Sequence, residues 1–158
     1  MQIKRRDVRD AINFLTFLYG MSVKESTKRF QFIKLLRPET EITALQYKKI
    51  GEDYAVKDEN GKPKTDPATG DYLFMPHTSI TGPEAVKDLL IDEIEIEEKI
   101  HKTKLAAVRK IVFEFEHEWK DGEQIHAVYY DLMYDLLDCE SLEEKPAPKA
   151  KKKKSEEE

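Results

Sequence analysis

Cysteine is nearly absent from this sequence: Cys139 stands alone, so no internal disulfide forms and stability has to come from packing, which suits a reducing compartment. Long apolar runs are missing as well. None exceeds five residues, far short of the roughly 20 needed to cross a bilayer, so no membrane span is expected. The basic start Met1-Gln-Ile-Lys-Arg-Arg6 is followed by Asp7, Arg9 and Asp10 where a secretory signal needs an apolar stretch. The expected location is therefore the cytoplasm. The six glycines are isolated, and without clustered spacing they make no phosphate-cradling loop, which argues against nucleotide hydrolysis.

What is present is charge, unevenly spread. Residues 1–37 hold nine Lys/Arg against three Asp/Glu, residues 38–139 hold twelve against twenty-three, and residues 140–158 hold six of each. The segments carry net charges of +6, −11 and zero. A chain with a basic and an acidic region offers two kinds of surface to partners, or to its own copies. At 158 residues one domain is expected, running from 1 to 139, with 140–158 as a disordered Lys/Glu-rich tail of low hydrophobicity.

Periodicity predicts an α+β fold, mainly α. Val8, Ala11, Ile12, Leu15, Leu18 and Tyr19 recur at helical spacing from Asp7, an expected N-cap, to Tyr19. Gly20 closes that helix, and Ser22-Val-Lys-Glu25 has the form of a capping box. A second helix follows, with Phe30, Phe32, Ile33, Leu35 and Leu36 on its apolar side. Pro38 is expected to kink or restart it before it continues to about Tyr54, giving an N-terminal helical hairpin. Turn residues crowd 57–80, which reads as an excursion loop or a small β-hairpin joining Tyr54-Ala-Val56 to Tyr72-Leu-Phe-Met75. Thr81 is expected to cap a short helix ending near Ile91.

From Glu93 to Ile100 the pattern alternates: Ile94, Ile96 and Ile100 face one way, and Glu93, Glu95, Glu97 and Lys99 the other. This is the signature of a half-buried strand, paired with the hairpin or with Gln2-Ile-Lys4. Two C-terminal helices are predicted, Leu105–Trp119 and Ile125–Asp138, the second with Val128, Tyr129, Leu132, Met133 and Leu136 inward.

Candidate chemistry is thin. Glu114/His117 and Glu123/His126 are two E-x-x-H spacings of the kind that ligate metal pairs in helical bundles. Only five residues, including Asp121-Gly122, separate them, so they are not expected to face each other, and no metal or cofactor is assigned. His77, His101, His117 and His126 lack a nucleophile and orienting partner at recognisable spacing. Cys139 sits between Asp138 and Glu140, whose charge disfavours the thiolate. No catalytic residues are assigned and a non-enzymatic protein is expected. Arg5, Arg6, Arg9, Lys28 and Arg29 form a candidate basic face, with further cations at Lys4, Lys24, Lys34, Arg37 and Lys151–Lys154. Glu93, Glu95 and Glu97 form a candidate acidic face. Tyr129, Tyr130 and Tyr134 share one helix, and tyrosine-rich faces recur at protein interfaces.

Asn13-Phe-Leu-Thr-Phe-Leu-Tyr-Gly20, Lys28-Arg-Phe-Gln-Phe-Ile-Lys-Leu-Leu36, Tyr54-Ala-Val-Lys-Asp-Glu-Asn-Gly61 and Leu89-Leu-Ile-Asp-Glu-Ile-Glu-Ile96 together resemble an uncharacterised family of small proteins from tailed phages and prophages of Gram-positive bacteria. The resemblance covers about residues 3–102. It implies expression in an infected bacterium, with the virion as a second location, and carries over no activity and no site residues. The expectation is a phage protein-protein interaction protein assisting virion assembly, or a minor structural component, with a phage structural or host protein as partner or its own copies in a homo-oligomer. Two other classes stay open. One is an inhibitor of a host defence system, with an acidic surface over Glu93–Glu98 and Glu114–Glu118 occupying a nucleic-acid groove. The other is nucleic-acid binding through the basic hairpin.

Overall fold

A computed structural model describes residues 1–143. It is mainly helical with one small sheet. Strand β1 (Gln2–Lys4) leads directly into helix α1 (Arg5–Phe17), and α2 (Val23–Tyr54) follows. An irregular excursion with one 3₁₀ turn at Pro76–Thr78 ends at α3 (Thr81–Ile91). Then come β2 (Glu93–Glu95), α4 (Glu98–Phe113), α5 (Gln124–Leu136) and the one-turn α6 (Glu140–Glu143). The tail expected over 140–158 thus opens with a helical turn, and 144–158 lies outside the described residues.

The N-terminal hairpin forms as its local signals dictate. Ser22 Oγ accepts from the Glu25 amide at 3.3 Å while Glu25 Oε2 accepts from the Ser22 amide at 2.9 Å, so the capping box is complete and α2 has a fixed start. Gly20 adopts a φ of 77°, a left-handed conformation that glycine takes without a Cβ penalty. Val8, Ala11, Phe14 and Leu15 of α1 meet Phe32, Ile33 and Leu36 of α2 in the core. Helix α1 begins and ends earlier than its periodicity implies: Lys4, not Asp7, precedes its first turn, and Tyr19 lies beyond it, exposed.

Helix α2 does not restart at Pro38. It runs through as one 32-residue helix: proline removes one intrahelical bond and crowds the carbonyl four residues back, a local cost offset by the burial of Phe32, Ile33 and Leu36 just before it. Within the next five residues, Arg5 Nη1 reaches Glu39 at 3.1 Å and Thr43 at 3.4 Å, tying the helix beyond the proline to α1.

Strand β2 pairs antiparallel with β1 in the register Gln2↔Glu95, Ile3↔Ile94, Lys4↔Glu93. The strand is shorter than the alternation implies. Helix α4 starts at Glu98, so Ile96 is buried while Ile100 is 67% exposed. In the excursion, the expected pairing of Tyr54–Val56 with Tyr72–Met75 appears as a single isolated antiparallel bridge, Ala55↔Phe74, backed by Met75 N to Tyr54 O at 3.1 Å. Two aromatic rings seat this excursion on the helices: Tyr72 lies over Gly51 and Phe74 over Gly82, where a Cβ would overlap each ring. Thr81 is the first residue of α3, and the Ile80 preceding it makes no side-chain cap.

The largest departure lies at 114–120. Helix α4 ends at Phe113, Glu114 closes it in a turn, and the chain from Phe115 to Lys120 is non-helical, with exposure alternating along it. Phe113, Phe115, His117 and Trp119 point to the protein, and Glu114, Glu116, Glu118 and Lys120 to solvent. On α5, Met133 is buried, whereas Val128 is 61% exposed, contrary to its expected inward place. The helix buries its stripe against α1 through Tyr129, Tyr130 and Met133.

Candidate interaction surfaces

Of the acidic residues, Glu93, Glu95 and Glu97 are all exposed. Glu95 and Glu97 line a groove of about 170 Å³ together with Glu39, His101 and the apolar side chains Leu35, Leu36, Ile94, Ile96 and Ile100. Glu93 lies apart from the groove, opposite Lys4 in the sheet register, where an opposite-charge cross-strand neighbour is favourable. The strand and the first turn of α4 supply one wall and α2 the other. Ile100, displaced from the core by the early start of α4, becomes groove surface.

The basic face is divided by the fold. Arg5 Nε binds Asp92 at 2.8 Å and its Nη1 binds Glu39, with only 13% of its side chain exposed. Arg29 is buried at 7% exposure; it donates to the Leu18 carbonyl at the end of α1, and burial pushes its pKa down. Lys28 is half-buried. Arg6 and Arg9 remain exposed and share a cleft of about 400 Å³ with Arg5, Asp10, Thr43 and Tyr47. Asp7, Asp10, Glu39 and Asp92 surround these three arginines, so the cleft is charge-balanced rather than strongly cationic.

The two E-x-x-H spacings do not act as units. His117 of the first meets Glu123 of the second, Nε2 to Oε2 at 2.8 Å, and its Nδ1 lies 2.6 Å from the Tyr19 hydroxyl. Glu114 pairs instead with Lys110 at 3.6 Å, and His126 stacks on Phe17 with centroids 4.1 Å apart. Among the described residues no three metal-capable side chains converge. The Tyr19–His117–Glu123 chain pins the extended segment across the end of α1. Its neighbours Phe14, Phe17, Phe115, Trp119, Tyr130 and Tyr134 form one continuous aromatic cluster. All three α5 tyrosines are half-buried, on the protein side.

The His117 hydrogen bond, followed by the Lys120 amide, holds the Glu123 carboxyl below the usual carboxylate range. A depressed carboxylate contributes stability that is present above its unfolded pKa and lost as pH falls through the folded value. Glu123→Gln is therefore expected to lower Tm at pH 7, with the gap to the parent closing as pH drops into the acid range. A gap constant from pH 7 to pH 3 would show that the charge plays no part.

Cys139 is fully buried, its Sγ 3.6 Å from the Arg109 carbonyl. Its thiol is pushed up to about 11, by burial first and with Asp138 adding, against the opposing pull of Arg109. Neighbouring charge, the expected cause, is thus secondary. Among the described residues no helix is long and apolar enough to cross a membrane.

Comparison with protein-family models, with curated proteins and with solved structures finds no match to this chain.

Proposed function

We propose that this chain is a non-enzymatic protein-protein interaction protein of a phage that assists virion assembly or serves as a minor structural component, with the acid-lined groove as its partner-binding surface. The observation that carries the reading is the groove's composition. Leu35, Ile94, Ile96 and Ile100 provide apolar contact while Glu39, Glu95 and Glu97 line it beside them. An amphipathic segment with apolar anchors flanked by Lys or Arg complements both features, the apolar contacts giving affinity and the charges giving encounter rate and register. The phage setting rests on the sequence resemblance.

A second reading, inhibition of a host defence system, draws support from the outward row Glu114, Glu116 and Glu118 on the extended segment, a regular line of negative charge with which to occupy a cationic groove. Nucleic-acid binding ranks third, because Arg5 and Arg29 are engaged inside the protein.

The test is capture of partners from phage-infected cells at moderate salt by the parent and by E95K/E97K, with mass spectrometry of the captured proteins and of purified virions. The substituted positions are exposed, so the variant is expected to keep the parent's circular dichroism while losing about tenfold or more of the captured partner. Undiminished capture would remove the groove from the proposal. A host nuclease or defence protein as the captured species would move the second reading to first place.

A further inference from the structure

The outer half of α2 carries a bare face whose charge order is self-complementary. Arg37, Glu41, Ile42, Leu45, Lys48, Lys49, Glu52 and Asp53 are all exposed. At 100° per residue they fall on one broad stripe, while Thr43, Tyr47, Ile50 and Gly51 on the other side turn toward the protein. Leu45, 68% exposed, marks the middle of the stripe, with Ile42, also exposed, beside it.

We propose that this face pairs with its own copy, two antiparallel α2 helices meeting across a two-fold axis at Leu45. An isologous contact requires each residue before the axis to meet a complementary one after it. Glu41 lies four positions before Leu45, and Lys48 and Lys49 lie three and four after it, so Glu41 of each copy faces that lysine pair at about 6 Å from the axis. Arg37 lies eight positions before, and Glu52 and Asp53 lie seven and eight after, so a second pair of opposite sign follows at about 12 Å. In the antiparallel arrangement Glu41 meets Lys48 and Arg37 meets Glu52 on the same side of the axis, and Lys49 falls beside Ile42. A parallel pair would stack Glu41 on Glu41 and the lysines on one another. The central leucines meet on the axis, and the stem of a lysine covers each Ile42. Lys48 already contacts Glu52 within its own helix at 3.7 Å, an exposed pair that leaves both side chains able to reach across.

The experiment is sedimentation velocity of the full chain over a range of concentrations, together with three variants. The parent is expected to show a concentration-dependent dimer. Leu45→Cys is expected to form a disulfide-linked dimer on mild oxidation that the parent, with Cys139 buried, does not form. K48E/K49E places like charges opposite Glu41 and is expected to weaken the dimer about tenfold or more, and adding Glu41→Lys is expected to restore it. A parent that stays monomeric overturns the proposal. So does a dimer indifferent to K48E/K49E, or one the triple variant fails to recover.

Discussion

Phe14→Ala is expected to cost about 3–5 kcal/mol, the range for removing a fully buried phenyl ring. Phe14 has no exposed surface and sits where α1, α5 and the extended segment converge. Its ring meets Phe115 edge-on at 5.9 Å and Tyr130 at 5.8 Å, contacts that add to the area term. The cavity would open where three elements meet around rings already in contact with one another, so little collapse is available to fill it. The check is urea unfolding at 25 °C, with the midpoint lowered and the slope unchanged. A loss below about 1 kcal/mol would mean that the aromatic cluster is not the joint between the N-terminal hairpin and α5.

Much of the fold was legible because its causes are local. The capping box at Ser22–Glu25 needs only four residues, and both of its hydrogen bonds form. Alternation over 93–100 identifies a strand with the hairpin or Gln2–Lys4 as its mate, and the pair with Gln2–Lys4 forms, over Glu93–Glu95, in antiparallel register. The errors have physical causes of the opposite kind. Ile100 continued the alternation in sequence, yet α4 claimed it, since Glu98–Phe113 offers Leu105, Val108, Ile111 and Val112 as a buried helical stripe. Of the two outcomes expected at Pro38, the restart does not occur, since tertiary contacts on either side hold α2 as one helix.

The candidate surfaces divide in the same way. Glu93, Glu95 and Glu97 were readable because an exposed strand face follows from period-two spacing alone. The groove beside them was not, since its other wall comes from Leu35 and Glu39 on α2, some sixty residues earlier. The basic face failed where long-range pairing decides. Asp92 reaches Arg5 across 87 positions, and Arg29 turns inward to satisfy a carbonyl at the end of α1, neither of which a count of cations reveals. The meeting of His117 with Glu123 depends on the extended path between them.

That path left its own mark in the sequence: Phe113-Glu-Phe-Glu-His-Glu-Trp-Lys120 alternates at every step. A helical reading placed Phe115 and Trp119 four apart on one side, a spacing that period two also satisfies, and only the intervening His117 and the glutamates separate the two. Two substitutions distinguish them experimentally. Glu116→Pro within a helix would cost about 3 kcal/mol. In the extended segment, where proline and the residue before it both favour such backbone and the outward side chain makes no core contact, the change is expected to stay within about 1 kcal/mol. Phe115→Ala is expected to cost about 3 kcal/mol, the lower end for phenylalanine, since the ring is half-buried but contacts Phe14, Phe17 and Tyr19. Thermal and urea unfolding of the pair measure both. A large loss from Glu116→Pro would return the segment to α4, and the row of outward glutamates with it. A small loss from Phe115→Ala would leave the segment held by the Tyr19–His117–Glu123 chain and by Trp119 against Phe17 and Tyr130.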